Sequence, residues 1–172
     1  MYKEQAWDET TIDAGPEDID LSSRPVPAGD YLLQVIDARG GTTQKGGKKV
    51  VLDYKIAAQY DKQKGDYLES PHAGRKIRFH SVGLFFTKES QGFGIMKHNL
   101  KSFGQPYQGE IRVQPNNFIG RLVLARVVID DEGKYNNVDW ITEGVALLES
   151  ERVRLGVQAL GPKQEKEEEV PF

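Results

Sequence analysis

The sequence predicts an all-β domain with one short helix, a five-stranded barrel flanked by flexible acidic ends. Three observations predict it. Five runs of β-prone residues carry a period-two pattern. One stretch between the third and fourth runs has helical spacing instead. The hydrophobic fraction of the 172 residues, 38%, is low for a compact globule, which assigns part of the length to tails.

Residues 1–24 show no sustained apolar period and read as an arm, with Trp7 as its one anchor. Pro25–Gly29 is a turn-rich lead-in. Asp30–Arg39 is the first strand, with Tyr31, Leu33 and Val35 on one face and Leu32, Gln34 and Ile36 on the other. Both faces are apolar enough to be covered, as in a strand between a barrel interior and a packed exterior. Gly40–Lys49 is a basic loop that nearly matches a phosphate-binding P-loop. The Lys-Ser/Thr ending is missing and a strand follows instead of a helix, so it is rejected as a nucleotide site.

Val50–Tyr60 is the second strand, with Val50, Leu52, Tyr54, Ile56 and Ala58 pointing one way and Val51, Asp53, Lys55 and Ala57 the other. Asp61–Gly74 is a polar loop carrying Tyr67. Arg75–Val82 is the third strand; strict alternation sends Ile77 and Phe79 to the core and aligns Lys76, Arg78 and His80 outside. Gln91–Gly104 has helical spacing through Ile95, Met96, Asn99, Leu100 and Phe103, with Met96 and Phe103 read as core, and Gly104 supplies the stop. Residues 109–117 form a loop with room for a short strand at Ile111–Val113. Phe118–Ile129 is the fourth strand, Asp130–Lys134 a hairpin turn and Tyr135–Thr142 the fifth strand. Ala146–Val157 reads equally as a helix or as a lead into the tail.

The order β-β-β-α-β-β, with the helix between strands three and four, is the layout of an OB-fold. The chain therefore divides into an acidic arm (1–24), an OB domain (25–143), a short helix or linker (144–161) and an acidic tail (162–172). Net charge is −3 overall, yet the arm holds two cations against seven carboxylates and the tail two against four, which leaves the body at +4. A basic body between acidic ends suits an anionic ligand for which those ends compete. An OB-fold binds through strands two and three and the loops joining strands one–two and four–five. Those places hold Lys45, Lys48 and Lys49, then Lys55, then Lys76, Arg78 and His80, and finally Lys134 and Tyr135. Tyr60, Tyr67, Phe86, Tyr135 and Trp140 are candidate platforms for stacked bases, with core packing as the alternative for each. Trp140, which shares its face with Val138 by alternation, is expected in the core.

The pieces Pro27–Tyr31, Lys45–Lys49, Gly74–Lys76 and Gly133–Val138, in this order and spacing over about residues 25–142, resemble a family of phage-encoded single-stranded DNA-binding proteins long catalogued as a domain of unknown function. That resemblance implies an OB barrel that coats single strands without sequence preference. The C-terminal Glu167, Glu168, Glu169, Val170, Pro171 and Phe172 resemble the tip of bacterial single-stranded DNA-binding proteins, which implies recruitment of replication and recombination enzymes. Homo-oligomerisation is left open.

No cysteine is present, so disulfides and thiolate zinc sites are excluded. His72, His80 and His98 lack metal-ligand spacing and no catalytic triad pattern stands out, so neither an enzyme nor a cofactor or metal is expected. The N-terminus lacks a targeting pattern and no run is long enough to span a membrane, which predicts a cytoplasmic protein. The competing reading is an OB module for protein interaction, or a phage structural component, without DNA binding.

Overall fold

The computed structural model describes residues 24–84 and 90–158. Six strands form one antiparallel sheet: β1 (Gly29–Thr42), β2 (Lys48–Asp61), β3 (Asp66–Leu68), β4 (Lys76–Gly83), β5 (Leu122–Ile129) and β6 (Asn136–Val145). Helix α1 (Gln91–Ser102) joins β4 to β5, a 3-10 turn covers Pro115–Phe118, and α2 (Glu149–Leu155) follows β6. The hydrogen-bonded order is β3-β2-β1-β5-β6, with β4 also paired to β2. β4 and β6, on opposite sides of this order, nonetheless come close together, so the sheet is strongly curled. No ladder joins those two strands among the described residues.

The interior side carries Tyr31, Leu33 and Val35 from β1, Val50, Leu52, Tyr54 and Ile56 from β2, and Val123, Ala125 and Val127 from β5. Helix α1 plugs it with Met96 and Leu100, followed by Phe103, whose ring lies 5.3 Å from that of Phe118. Ser90 caps the start of α1 by accepting from the Phe93 amide, and Gly104, at φ 70°, ends it in the left-handed conformation that glycine tolerates. A second, smaller cluster of Leu32, Ala57, Ala58, Leu122 and Val157 lies on the exterior, under the α2 segment. Both faces of β1 are thus covered.

Several boundaries depart from the periodic reading. Tyr67 belongs to a short strand, β3, that pairs with the end of β2. Residues 111–113 form no strand. The fourth run becomes β5 only at Leu122, because Pro115 favours a helical turn that delivers Phe118 to the core. Of the two readings of 146–157, the helix is the one found.

The larger departures come from β-bulges, each of which inserts one residue and inverts the alternation beyond it. Leu32 faces Ala58 and Leu33 faces Ile56, so Ala57 is the extra residue and Ala58 joins the exterior cluster instead of the interior one. On β6, Asp139 is extra between Val138 and Trp140, and Trp140 turns outward, 44% exposed. On β4, Leu52 faces His80 and Tyr54 faces Ile77, so Arg78 and Phe79 together oppose Asp53. His80 consequently points inward, not onto the cationic face. Its Nδ1 lies 2.6 Å from the Tyr54 hydroxyl, and burial lowers its pKa to about 4.

Two expectations follow. A Cβ at Gly144 would stand 2.2 Å from the Ser102 carbonyl oxygen, where β6 meets the end of α1. Gly144→Ala should cost about 1–3 kcal/mol, read as a Tm several degrees lower in thermal unfolding. For His80, the folded-state pKa lies below the unfolded value of 6.5. Stability is therefore complete above pH 6.5 and falls as the pH drops towards 4, because the unfolded chain takes up the proton first. Between pH 7 and 4.5 the wild type should lose up to about 2 kcal/mol more than His80→Gln in denaturant titrations; equal losses would contradict an inward, neutral His80.

Candidate nucleic-acid interface

Pairing between β2 and β4 sets Lys55 directly opposite Lys76, and Lys49 opposite Gly83. Like charges facing each other across a ladder are destabilising, so this pair costs the fold something that an anionic ligand would return. Among the described residues no carboxylate lies within 4.0 Å of Lys45, Lys48, Lys49, Lys55, Lys76 or Arg78. Lys45 stands in a turn closed by the Thr43 amide donating to the Gly47 carbonyl at 2.8 Å, with Gly46 at φ 89°. Lys49 and Lys55 are six positions apart on β2, about 20 Å at the rise of an extended strand. The cations line the length of a strand instead of gathering at one point.

Between those ends the β4 bulge presents Phe79. It is the one non-glycine residue with positive φ among the described residues, at 67°, and the residue is 70% exposed. Asp53, only 6% exposed, accepts from the Phe79 amide at 2.9 Å. The Arg39 guanidinium reaches the same carboxylate at 3.2 Å, contacts Asp37 at 2.6 Å and lies 5.5 Å from the Phe79 ring centre. The Asp53 hydrogen bond, with smaller help from Asp37, raises the Arg39 pKa, so this cation never titrates. A left-handed non-glycine costs about 1–3 kcal/mol, and an exposed phenyl ring forgoes about 1.5–3 kcal/mol of burial. Hydrogen bonds to a charged group contribute about 1.5–3 kcal/mol each. Asp53 makes them to two donors, and of these the bond from the Phe79 amide is the one tied to the bulged register.

Beside this bulge a groove of about 510 Å³ runs between β4 and the β5–β6 hairpin, lined by Lys76, Arg78, Phe79, Tyr135 and Asn136 among others. A neighbouring groove of about 460 Å³ shares Lys76, Tyr135 and Asn136 and adds Arg24, Arg75 and Lys134. The Tyr135 ring is 67% exposed. The hairpin's Asp130 is occupied locally, since its carboxylate accepts from the amides of Lys134 at 2.8 Å and Tyr135 at 3.3 Å. Lys134 meets Glu132 only at 3.9 Å, with both side chains largely in solvent. The groove wall is pinned by Asn136, which accepts from the Val26 amide at 2.8 Å and donates to the Val26 carbonyl at 3.0 Å. Arg75 donates to the Arg24 carbonyl. Two exposed rings and several cations therefore open onto one trough.

Of the residues expected in a site, Lys76, Arg78, Lys134 and Tyr135 come together here. Lys55 adjoins them across the ladder and Lys49 lies six positions earlier on the same strand; Lys45 is in the preceding turn, and Lys48, exposed at the start of β2, falls by alternation on the side of Val50. His80 is excluded by the bulge and by its neutrality. Tyr60 and Tyr67 are also elsewhere: they face each other across the β2–β3 ladder, ring centres 5.2 Å apart. Tyr67 packs against the exterior cluster, and burial first, then the nearby Glu143, pushes its pKa up to about 12. Tyr60 lines a separate groove of about 350 Å³ with Lys62, Arg126 and Trp140. Trp140 stacks on His98 at 5.1 Å. Phe86 and the segment from Glu167 to Phe172 lie outside the described residues. Phe79, Arg39 and Arg75 are the residues beside this trough that alternation and loop position miss. The one available signal was Asp53, an acidic residue in the middle of a strand otherwise rich in apolar and basic side chains.

Among the described residues no group of three His, Cys, Asp or Glu is arranged to hold a metal ion, and no helix is long and apolar enough to cross a membrane. A comparison with curated proteins gives no match. Residues 17–140 match the model of the family described as a protein of unknown function, DUF669, and the chain belongs to that family.

Proposed function

We propose that this protein binds single-stranded DNA without sequence preference through an OB-type barrel, and serves DNA replication, recombination or repair of a bacteriophage in the host cytoplasm. The observation that carries the reading is the pairing of two exposed rings, Phe79 and Tyr135, with Lys76 and Arg78 along one groove. Single-strand binders combine a cationic track with aromatic faces, each stacked base contributing about 1–3 kcal/mol. The strand order supports the barrel: β2, β1 and β5 lie side by side, and β4 and β6 approach across the remaining gap, as in a partly open OB-fold. The cations and rings also fall on the strands and loops that such a fold uses for oligonucleotides. The acidic segment Glu167–Phe172 serves to recruit a helicase, polymerase or nuclease through its glutamates and Phe172.

Titrating fluorescent oligo-dT at two salt concentrations tests the reading. With five to seven cations engaged, log K should fall by about 0.7 per phosphate neutralised for each tenfold rise in salt. Lys76→Ala with Arg78→Ala should weaken binding and flatten that slope; an unchanged slope would remove β4 from the contact. Absence of any oligo-dT binding by the wild type would favour a protein-interaction module instead. Deleting residues 165–172 should tighten DNA binding, as a competing anion is lost, and abolish capture of the purified partner enzyme. No change in either would reduce the segment to a solvated end.

A further inference from the structure

We propose that Asp53 is a positioning residue that latches β4 in its bulged register, keeping Phe79 outside as a preformed platform for an unpaired base. The platform's ligand rests on the single-strand reading above; the latch rests on geometry alone.

The β4 sequence is compatible with two registers. Without a bulge, plain alternation from Ile77 puts Phe79 inside and His80 outside. That arrangement satisfies the usual local preferences: no non-glycine residue in the left-handed region, a phenyl ring buried, an imidazole in water. The protein adopts the other. Phe79 is out with φ 67°, and His80 is in, 2.6 Å from the Tyr54 hydroxyl. Burial of Val82, which plain alternation from Ile77 would turn outward, also favours the bulge, but the contacts at the bulge itself converge on one carboxylate. Asp53 sits opposite the extra residue, takes the Phe79 amide at 2.9 Å and fixes Arg39, whose guanidinium lies against the displaced ring.

Asp53, faced by Asp37 across the β1–β2 ladder, is also an anion under a surface that otherwise gathers cations. A carboxylate there opposes phosphate binding, so its presence needs a reason other than contact with DNA. Holding the backbone of Phe79 supplies one. A ring fixed in advance spares the bound state the cost of ordering it, which is how preorganisation raises affinity.

The test uses the full-length chain and two measurements, one of them independent of DNA. NMR titration of the His80 ring reports the register, since an inward imidazole resists protonation to about pH 4 and an outward one titrates near 6.5. Fluorescent oligo-dT binding reports the platform. Asp53→Ala should move the His80 titration towards its ordinary value and weaken oligo-dT binding about tenfold, the size of one lost stacking contact, with unfolding still cooperative. Phe79→Gly, which suits the left-handed backbone, should lose similar affinity and leave the His80 titration where it is. Asp53→Asn keeps an acceptor for the Phe79 amide and should fall between wild type and Asp53→Ala; it decides the matter if the alanine variant does not fold. A folded Asp53 variant with an unmoved His80 titration overturns the latch. A wild type that binds no oligo-dT overturns the single-strand reading, and the His80 titration still decides the register.

Discussion

How one buried carboxylate is satisfied governs the surface of this protein. Asp53 lies in the middle of β2 and takes hydrogen bonds from a backbone amide and a guanidinium. An unpaired charge at such a depth would cost several kcal/mol, so its partners are not optional. The amide it takes belongs to a residue that must leave the ordinary backbone region to offer it. From that one exchange come the outward Phe79, the inward His80 and the place of Arg39 on the exterior. A local electrostatic requirement thus determines which side chains meet solvent over half a strand.

The exterior of the sheet is divided as a result. Towards the end of β2, Ala57 and Ala58 lie with Leu32 under Val157, and the chain is drawn onto this cluster by Gln34. That amide, fully buried, donates to the carbonyls of Gly120 at 3.3 Å and Gln158 at 2.9 Å. Earlier in β2 the exterior is covered only locally, where Arg39 and the Phe79 bulge lie over Asp53, and on either side of it stand Lys49 and Lys55, with no carboxylate among the described residues within 4.0 Å. One half of the same face is a small core; the other is open to solvent and charged. The bulge at Ala57 separates the two regimes by turning the small alanines outward, where a covering segment can approach closely.

Periodicity was sufficient for the number and order of the main strands, the helix between β4 and β5, and most of the interior. Val50, Leu52, Tyr54, Ile56, Met96 and Phe103 are buried as their spacing implies. It failed at positions set by partners distant in sequence. Alternation is a property of one strand, whereas a bulge is a property of a pair, and neither Phe79 nor Asp139 carries a local mark of being the extra residue. The same limit hid β3, three residues long and held by the end of β2. The candidate site was half legible for a related reason: lysines and arginines on loops and edges stay exposed in any register, so Lys76, Arg78 and Lys134 are on the surface as their sequence positions imply. Aromatic rings go in or out according to pairing, and Phe79, Tyr67 and Trp140 could not be placed from spacing alone.

The fastening of Arg24 and Val26 to Arg75 and Asn136 has a practical side. It ties Arg24 and Pro25 to the rim of the trough beside Lys76 and Tyr135, whereas Gln158 is held over the exterior cluster by Gln34. A substitution at Val26 or Asn136 therefore acts on the wall of the trough that holds Lys76 and Tyr135 as well as on the fold.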